Sequence, residues 1–379
     1  MKSIQMTDLI SQYERIQEEI DDAVLRVIRS GRYINGEEVQ LFASELSKLT
    51  GAKQVIPCAN GTDALQIALM ALDLQEGDEV IVPAFTYAAT VEAVALLRLV
   101  PVAVDVDPLT FNMDVRKIEE AISPRTKAIL PVHLFGQSAD MEPVMQIARK
   151  WGLYVVEDNA QSICADYTFS DGSRKQTGTM GDIGTLSFFP SKNLGCYGDG
   201  GALLTNRDDL AEKLRQIASH GQSQKYIHER IGCNSRLDTL QAAVLRVKLP
   251  HLPAYIHARR KAAKEYDAAL LSANGLFEIP YCIPQSNPVY HQYTIKVNNG
   301  KRDDLQNYLK KKGIPTMVYY PRPLQRQPAF RNILKTRGDL SVTDQLCTSV
   351  LSLPIHTELE EAQLDYIICQ LIAYGKTNS

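Results

Sequence analysis

Leu153-Tyr154-Val155-Val156-Glu157-Asp158-Asn159-Ala160-Gln161-Ser162 is a short apolar run, rich in β-branched residues, that ends on two carboxylates. A strand this short and this apolar reads as buried on both faces, as in a parallel sheet covered by helices. Similar runs recur at Val80-Ile81-Val82, Val102-Ala103-Val104 and Ala128-Ile129-Leu130. Around them the spacing predicts helices over 64–72, 90–97, 115–122, 141–151 and 209–219, with acidic residues near several starts. Strands alternating with helices in this way predict an α/β fold with a large, mostly parallel sheet whose ligands gather at the carboxyl ends of the strands. Residues 237–270 read as helical and broken at Pro250 and Pro253. Beyond them the rhythm changes to a strand over 292–297, a helix over 303–312 stopped by Gly313, a strand over 316–320 and a last helix over 360–374. The expected division is a large α/β domain over 1–250, with an N-terminal helical segment, and a smaller C-terminal α+β domain over 251–379.

Composition excludes several classes of function. Lys plus Arg number 41 and Asp plus Glu 44 in 379 residues, a formal charge of −3. That leaves no basic field to draw in nucleic acid and no polybasic patch for a membrane surface. No run approaches the roughly 20 apolar residues of a membrane span, and the N-terminal stretch turns acidic without an apolar leader core. The seven cysteines are scattered with no C-x-x-C pair, which argues against a disulfide framework or a zinc cluster and for reduced thiols in a cytoplasm. His133, His228 and His291 lack metal-ligand spacing and read as structural, so no metal site is expected. Lys310-Lys311-Lys312 lies at a predicted helix C-terminus, where it complements the dipole and faces solvent.

The chemistry concentrates in four places. Asp158 falls at the carboxyl end of its strand, where a buried carboxylate is costly unless a cation or donors meet it. A protonated pyridine nitrogen is one such partner, and an ordinary helix or turn cap is the other reading. Glu157 points to the opposite face of the strand. Phe188-Phe189-Pro190-Ser191-Lys192-Asn193-Leu194-Gly195 sets one lysine between an apolar run and a glycine-rich turn, and a lysine in a partly dry pocket loses its proton and attacks carbonyls. Asn60-Gly61-Thr62-Asp63 opens a helix, either as an anion site for phosphate or as simple capping by Asn60 or Thr62. Tyr87, just after the strand ending at Pro83, can stack on a planar heterocycle or pack in the core. Ser187 adds a hydroxyl. An anion site, a stacking ring, a carboxylate for a ring nitrogen and a lysine for an aldehyde are together what pyridoxal phosphate requires.

The segments NGTDAL (60–65), PAFTYAAT (83–90), EDNAQS (157–162), SFFPSKNLGCYGDGGAL (187–203) and NSRLDTLQAA (234–243), in that order, resemble the DegT/DnrJ/EryC1/StrS family of sugar aminotransferases over nearly the whole chain. The resemblance implies the pyridoxal-phosphate-dependent transferase fold type I, the aspartate aminotransferase-like fold. It implies that Lys192 bonds the cofactor aldehyde and acts as general base and then acid. It places Asp158 on the pyridinium nitrogen, Gln161 by the phenolic oxygen and Tyr87 against the ring. Gly61, Thr62 and Ser187 are expected to hold the phosphate, with Asn234 reaching it from the partner subunit of a homodimer with shared active sites. L-glutamate is the expected amino donor and a nucleotide-linked ketosugar the acceptor.

Within that family, DVDPLTFNMD (105–114) and NSRLDTLQAAVL (234–245) look closest to enzymes that aminate the 3-keto group of UDP-2-acetamido-2-deoxy-3-oxo-D-glucuronate, a step toward surface polysaccharide such as lipopolysaccharide O-antigen. Ser235 replaces an aromatic common among relatives and is expected to leave room beside Arg236, whose fork would hold a sugar carboxylate. Tyr319, before Tyr320, stands where close relatives often carry the histidine of a His-Tyr-Pro motif, so it would meet a carboxylate by hydrogen bond without a positive charge. Gln325 likewise departs from the family's PLH pattern. His220 is placed at the substrate mouth. The competing readings are an aminotransferase for a UDP- or dTDP-4-keto-6-deoxysugar and, from another class, a non-catalytic cofactor-binding sensor or assembly protein. Dehydratases of the family carry histidine where Lys192 stands, and Gly198-Asp199-Gly200-Gly201 lacks the G-x-G-x-x-G spacing of a nicotinamide site.

Overall fold

Nine strands of the first 205 residues organise the molecule: β1 (Gln54–Cys58), β2 (Glu79–Pro83), β3 (Val100–Val104), β4 (Thr126–Ile129), β5 (Tyr154–Asp158), β6 (Asp166–Thr168), β7 (Arg174–Gln176), β8 (Ile183–Ser187) and β9 (Gly201–Thr205). They are seen in a computed structural model that describes residues 2–271 and 275–378. The large sheet has the order β1-β9-β8-β5-β4-β2-β3 and gains a parallel edge from Lys335–Thr336 beside β3. Pairing is parallel from β3 through β2, β4 and β5 to β8. Only β9 runs the other way, against both β8 and β1. It follows that β1 points the same way as β8, and the carboxyl ends of β1, β2, β4, β5 and β8 all reach one edge.

The helices are α1 (Leu9–Arg15), α2 (Gln17–Ser30), α3 (Glu37–Thr50), α4 (Gly61–Ala71), α5 (Ala88–Leu96), α6 (Val115–Ala121), α7 (Met141–Trp151), α8 (Asp208–Ala218), α9 (Thr239–Lys248) and α10 (Leu252–Leu270). The 3.6-residue periodicity thus located α4 to α9 to within three residues at their starts, while α1 to α3 make up the N-terminal helical segment. α4 is apolar nearly all round, and Ala64, Leu65, Ile67, Ala68 and Leu69 are all buried, because neighbours cover it on more than one side. At Pro250 and Pro253 the expected break is a single 3-10 turn, Leu249–His251, with each proline in a first turn where its missing N–H costs nothing. No helix among the described residues is long and apolar enough to cross a membrane.

In the C-terminal part, Phe277–Glu278, Tyr293–Val297 and Val350–Leu353 form a small antiparallel sheet. The helices Arg302–Lys311 and Glu361–Asn378 accompany it, and Tyr293, Ile295, Leu305, Leu353 and Ile367 share its core. Lys310, Lys311 and Lys312 are exposed at the helix end, as expected. The strand expected over 316–320 does not form. Met317 makes one isolated bridge to Ser352, after which the chain turns away so that Tyr319 and Tyr320 pack toward the large sheet. Leu324, Phe330, Leu334 and Leu346 then bury themselves in the core of the large sheet.

Glu79 fastens this returning segment. Its side chain is fully buried at the start of β2 and accepts hydrogen bonds from Ser123 Oγ (2.6 Å), Arg125 (3.0 Å) and Arg337 (3.0 Å), with Lys335 at 3.6 Å. Burial alone would raise its pKa, but Ser123, Arg337, Arg125 and Lys335 outweigh that and hold it below the usual value. Glu79→Ala removes a buried carboxylate whose basic partners are themselves partly exposed, and is expected to lower stability at pH 7 by about 1–2 kcal/mol, read from urea unfolding. Because the folded pKa is depressed, the wild-type contribution is present above the unfolded value of 4.5 and fades as pH falls through the lower folded value, so the two proteins should converge in acid.

Candidate active site

The carboxyl edge of the large sheet opens on a cavity of about 580 Å³, in the size range of small-molecule sites. Gly61, Thr62, Tyr87, Asp158, Gln161, Ser187, Lys192, Tyr319 and Tyr320 all line it. Convergence follows from the topology: β1 delivers the start of α4, β2 delivers Tyr87, β5 ends on Asp158 and β8 on Ser187.

Asp158 is only 6% exposed. Its amide donates to the Pro131 carbonyl (2.9 Å) and its own carbonyl accepts from the His133 amide (3.1 Å), so the strand end is pinned. The carboxylate accepts from Thr90 Oγ1 (2.9 Å) and the Ala160 amide (3.2 Å), and Thr86 meets Thr90 at 3.1 Å. Burial raises its pKa, with Ala160, Thr90, Lys192 and His133 opposing. Burial likewise draws Lys192 down to about 8, against the pull of Asp158. Each group is therefore displaced toward its neutral form by the same dry surroundings.

Glu157 does take the opposite face. It is fully buried and accepts from the amides of Gly178 (2.7 Å), Met180 (2.7 Å) and Gly181 (2.6 Å) and from His133 Nε2 (2.9 Å). His133 Nδ1 accepts from the Ala139 amide (3.0 Å), which leaves the ring proton on Nε2, facing Glu157. This carboxylate is satisfied, whereas Asp158 has capacity left for a cation.

At α4 both readings of Asn60-Gly61-Thr62 hold together. Asn60 Oδ1 caps the Asp63 amide (2.8 Å), and helix geometry leaves the amides of Gly61 and Thr62 without an intrahelical acceptor. A Cβ on Gly61 would lie 2.7 Å from Ser187 Cβ, so glycine there lets the Ser187 hydroxyl approach the helix start. Gln161 Oε1 accepts from the Phe135 amide (2.7 Å) and its Nε2 donates to Tyr320 Oη (3.3 Å). Tyr87 is 61% exposed, its ring 6.2 Å from that of Tyr320, and so has a free face. Behind the loop, Lys248 Nζ donates to the Gly195 carbonyl (2.8 Å) and lies over the Tyr197 ring (4.3 Å).

Three expected residues do not line the cavity. Asn234 is exposed, Arg236 half-buried and His220 exposed at the end of α8. Ser235 opens no space beside Arg236: it is fully buried and its hydroxyl accepts from the Ala59 amide (3.0 Å), so its small size serves that backbone contact. Conversely, His291, read above as merely structural, lines the cavity, as do Thr86, Phe135, Asp199 and Gln292. The Thr86-x-x-x-Thr90 spacing at a helix start was the available signal for Thr90; His291 carried none.

The residues present suit one kind of group. Free amides and a hydroxyl take a phosphate, a desolvated carboxylate takes a protonated ring nitrogen, and a lysine with a lowered pKa takes an aldehyde. The family model described as the DegT/DnrJ/EryC1/StrS aminotransferase family matches residues 14–372. A relative from Pseudomonas aeruginosa, named UDP-2-acetamido-2-deoxy-3-oxo-D-glucuronate aminotransferase, is 48% identical over 97% of this chain and 98% of its own length. A solved DegT DnrJ EryC1 StrS aminotransferase from Brucella abortus superposes with a TM-score of 0.93 at 41% identity, covering 98% of this chain and 99% of that one. NtdA from Bacillus subtilis, solved with its cofactor PMP bound, superposes at 0.86 with 34% identity over 95% of this chain and 82% of its own.

In the cofactor-free protein, acetylation of Lys192 by limiting acetic anhydride, followed by peptide mapping across pH, should show a midpoint near 8, and Asp158→Asn should move it lower still. A midpoint at the ordinary lysine value of about 10.4 would contradict the desolvated site.

Proposed function

The chain belongs to the DegT/DnrJ/EryC1/StrS aminotransferase family, and from that premise we propose that it transfers the amino group of L-glutamate to the 3-keto carbon of a UDP-2-acetamido-3-ketosugar. Asp158 and Lys192 on one cavity, each displaced toward its neutral form by burial, are the observation that carries this reading. Pyridoxal phosphate, the family's cofactor, supplies an electron sink when bound. The chain's own residues do the rest. The Gly61 and Thr62 amides and the Ser187 hydroxyl would hold its phosphate, and Asp158, held by Thr90 and Ala160, would accept a hydrogen bond from the protonated ring nitrogen. Lys192, with a substantial neutral fraction near pH 8, takes the proton from the α-carbon of the donor and hands it on as general acid. Tyr87 would stack on the ring, and Gln161, bonded to Tyr320, would donate to a cofactor oxygen.

Asn234 and Arg236 act across a homodimer in this reading, reaching the site of the other subunit, with His220 near its mouth. The name of the Pseudomonas aeruginosa relative supports a 3-keto uronate as acceptor; a cytoplasmic step toward surface polysaccharide is the setting proposed with it. Tyr319 meets the acceptor by hydrogen bond. With the domain boundary placed after residue 250, His291, Tyr319 and Tyr320 come from the C-terminal part.

Borohydride reduction in the presence of pyridoxal phosphate should fix the cofactor to the peptide holding Lys192, and Lys192→Ala should lower turnover by at least about 10³-fold with the fold intact. An adduct at another lysine contradicts the assignment. With glutamate as donor, 2-oxoglutarate should appear with a UDP-3-keto acceptor, and a response only to 4-keto-6-deoxysugars would favour the competing substrate. Arg236→Met should raise KM for a uronate acceptor by about tenfold or more, as loss of a charged hydrogen bond does, and leave a neutral sugar unaffected.

A further inference from the structure

His291 stands out among the groups this chemistry leaves unused. It lines the cavity, is 6% exposed, and its Nδ1 has no hydrogen-bond partner. An unpaired buried polar atom costs about 1–3 kcal/mol, so one kept at a reaction centre calls for an occasional partner.

The backbone that presents the ring is held from three directions. The Val289 amide donates to the Gly136 carbonyl (2.8 Å) and the Gln292 amide to that of Phe135 (3.3 Å). Asn193, the neighbour of Lys192, donates through Nδ2 to the Val289 carbonyl (3.1 Å). From α10, the buried Arg259 donates through Nη1 to the carbonyls of Tyr290 (3.1 Å), His291 (3.2 Å) and Ile355 (3.0 Å). The His291 segment and the Lys192 loop are thus joined by the Asn193 bond.

The charges around the ring make it an acceptor. Burial, then Lys192 from its loop and Arg259 from α10, hold the imidazole well below its usual pKa and therefore neutral at pH 7. The other titratable groups lining the cavity are Asp158 at the end of β5, Asp199 of the loop after Lys192, Tyr87, Tyr319 and Tyr320, and Asp158 acts on Lys192 directly. A neutral imidazole has one nitrogen free to accept, and Lys192, which lines the same cavity, acts on the ring more strongly than Arg259 does.

We infer that His291 is a positioning residue for Lys192: its neutral ring accepts a hydrogen bond from the Lys192 nitrogen whenever that nitrogen is not bonded to the cofactor, and so keeps it aimed at the reacting carbons. This rests on the reading of Lys192 as the cofactor-bonding amine. An acceptor stabilises the charged form of a lysine, so removing it lowers the lysine pKa, whereas a ring that merely fills space leaves it unchanged.

The test compares wild type, His291→Phe and His291→Asn without cofactor, following the pH dependence of Lys192 acetylation. The expected result is a midpoint lower by about half a pH unit in His291→Phe, about threefold more neutral amine at pH 7, with the wild-type value regained in His291→Asn, whose amide oxygen accepts. In the loaded enzyme, kcat of His291→Phe should fall about tenfold with KM for both substrates unchanged. If His291→Phe fails to fold, His291→Leu takes its place. An unchanged midpoint in a folded variant without an acceptor, or equal loss in the Phe and Asn variants, overturns the inference. Failure of the wild type to form a borohydride-stable adduct with pyridoxal phosphate would instead sink the reading of Lys192 itself, so the two failures are distinguishable.

Discussion

Desolvation of two opposite charges in one cavity is the constraint on which this molecule is built. Burial raises the pKa of Asp158 and lowers that of Lys192. Left to themselves, the two groups would drift toward a neutral pair or collapse on each other. The backbone of each is fixed. Asp158 is locked into β5 by backbone bonds to Pro131 and His133 and oriented by Thr90 and Ala160. Lys192 sits in a tight turn closed by its own amide on the Phe189 carbonyl (2.8 Å), with the buried ammonium of Lys248 tying Gly195 behind it. The fold thus keeps both charges where a ligand with complementary groups can relieve them, which is how a stable scaffold stores binding energy for a reaction.

The satisfied polar network beneath the cavity serves the same end. Glu157 is one residue from Asp158 and equally buried, yet three amides and His133 meet it in full. The contrast across a single strand explains why one carboxylate reads as scaffold and its neighbour as a site. On the other wall, Gln161 links Phe135 to Tyr320 and joins the two halves of the chain at the cavity itself.

Those halves depend on each other at both ends of the sheet. At the carboxyl edge, His291, Tyr319 and Tyr320 come from the second half and close the site. At the opposite end, Glu79 grips Arg337 and Lys335 where the chain adds its parallel edge strand beside β3. A segment anchored so far from the chemistry still sets where the two tyrosines lie, because the chain between is buried through Leu324, Phe330 and Leu334.

Local pattern was enough for a large part of this. Short apolar runs alternating with helical periods determined a parallel α/β sheet, and the strand-end and helix-start positions of Asp158, Gly61, Thr62, Tyr87 and Ser187 put them on one edge, because strand direction and the carboxyl-end rule are consequences of chain order. Lys192 was legible from its neighbours, and Glu157 from the two-residue period of a strand. The tertiary structure alone decided the rest. Thr90 reaches Asp158 across 68 residues of sequence, His291 comes from another part of the chain, and Ser235 turned out to serve the Ala59 amide. Residues 316–320 have the composition of a strand yet leave the small sheet after one bridge, since packing two tyrosines over the cavity outweighed a ladder. Periodicity reports which face of an element is apolar; it carries no information about which distant polar atom will stand opposite, and that is fixed only when desolvation forces each buried group to find a partner in space.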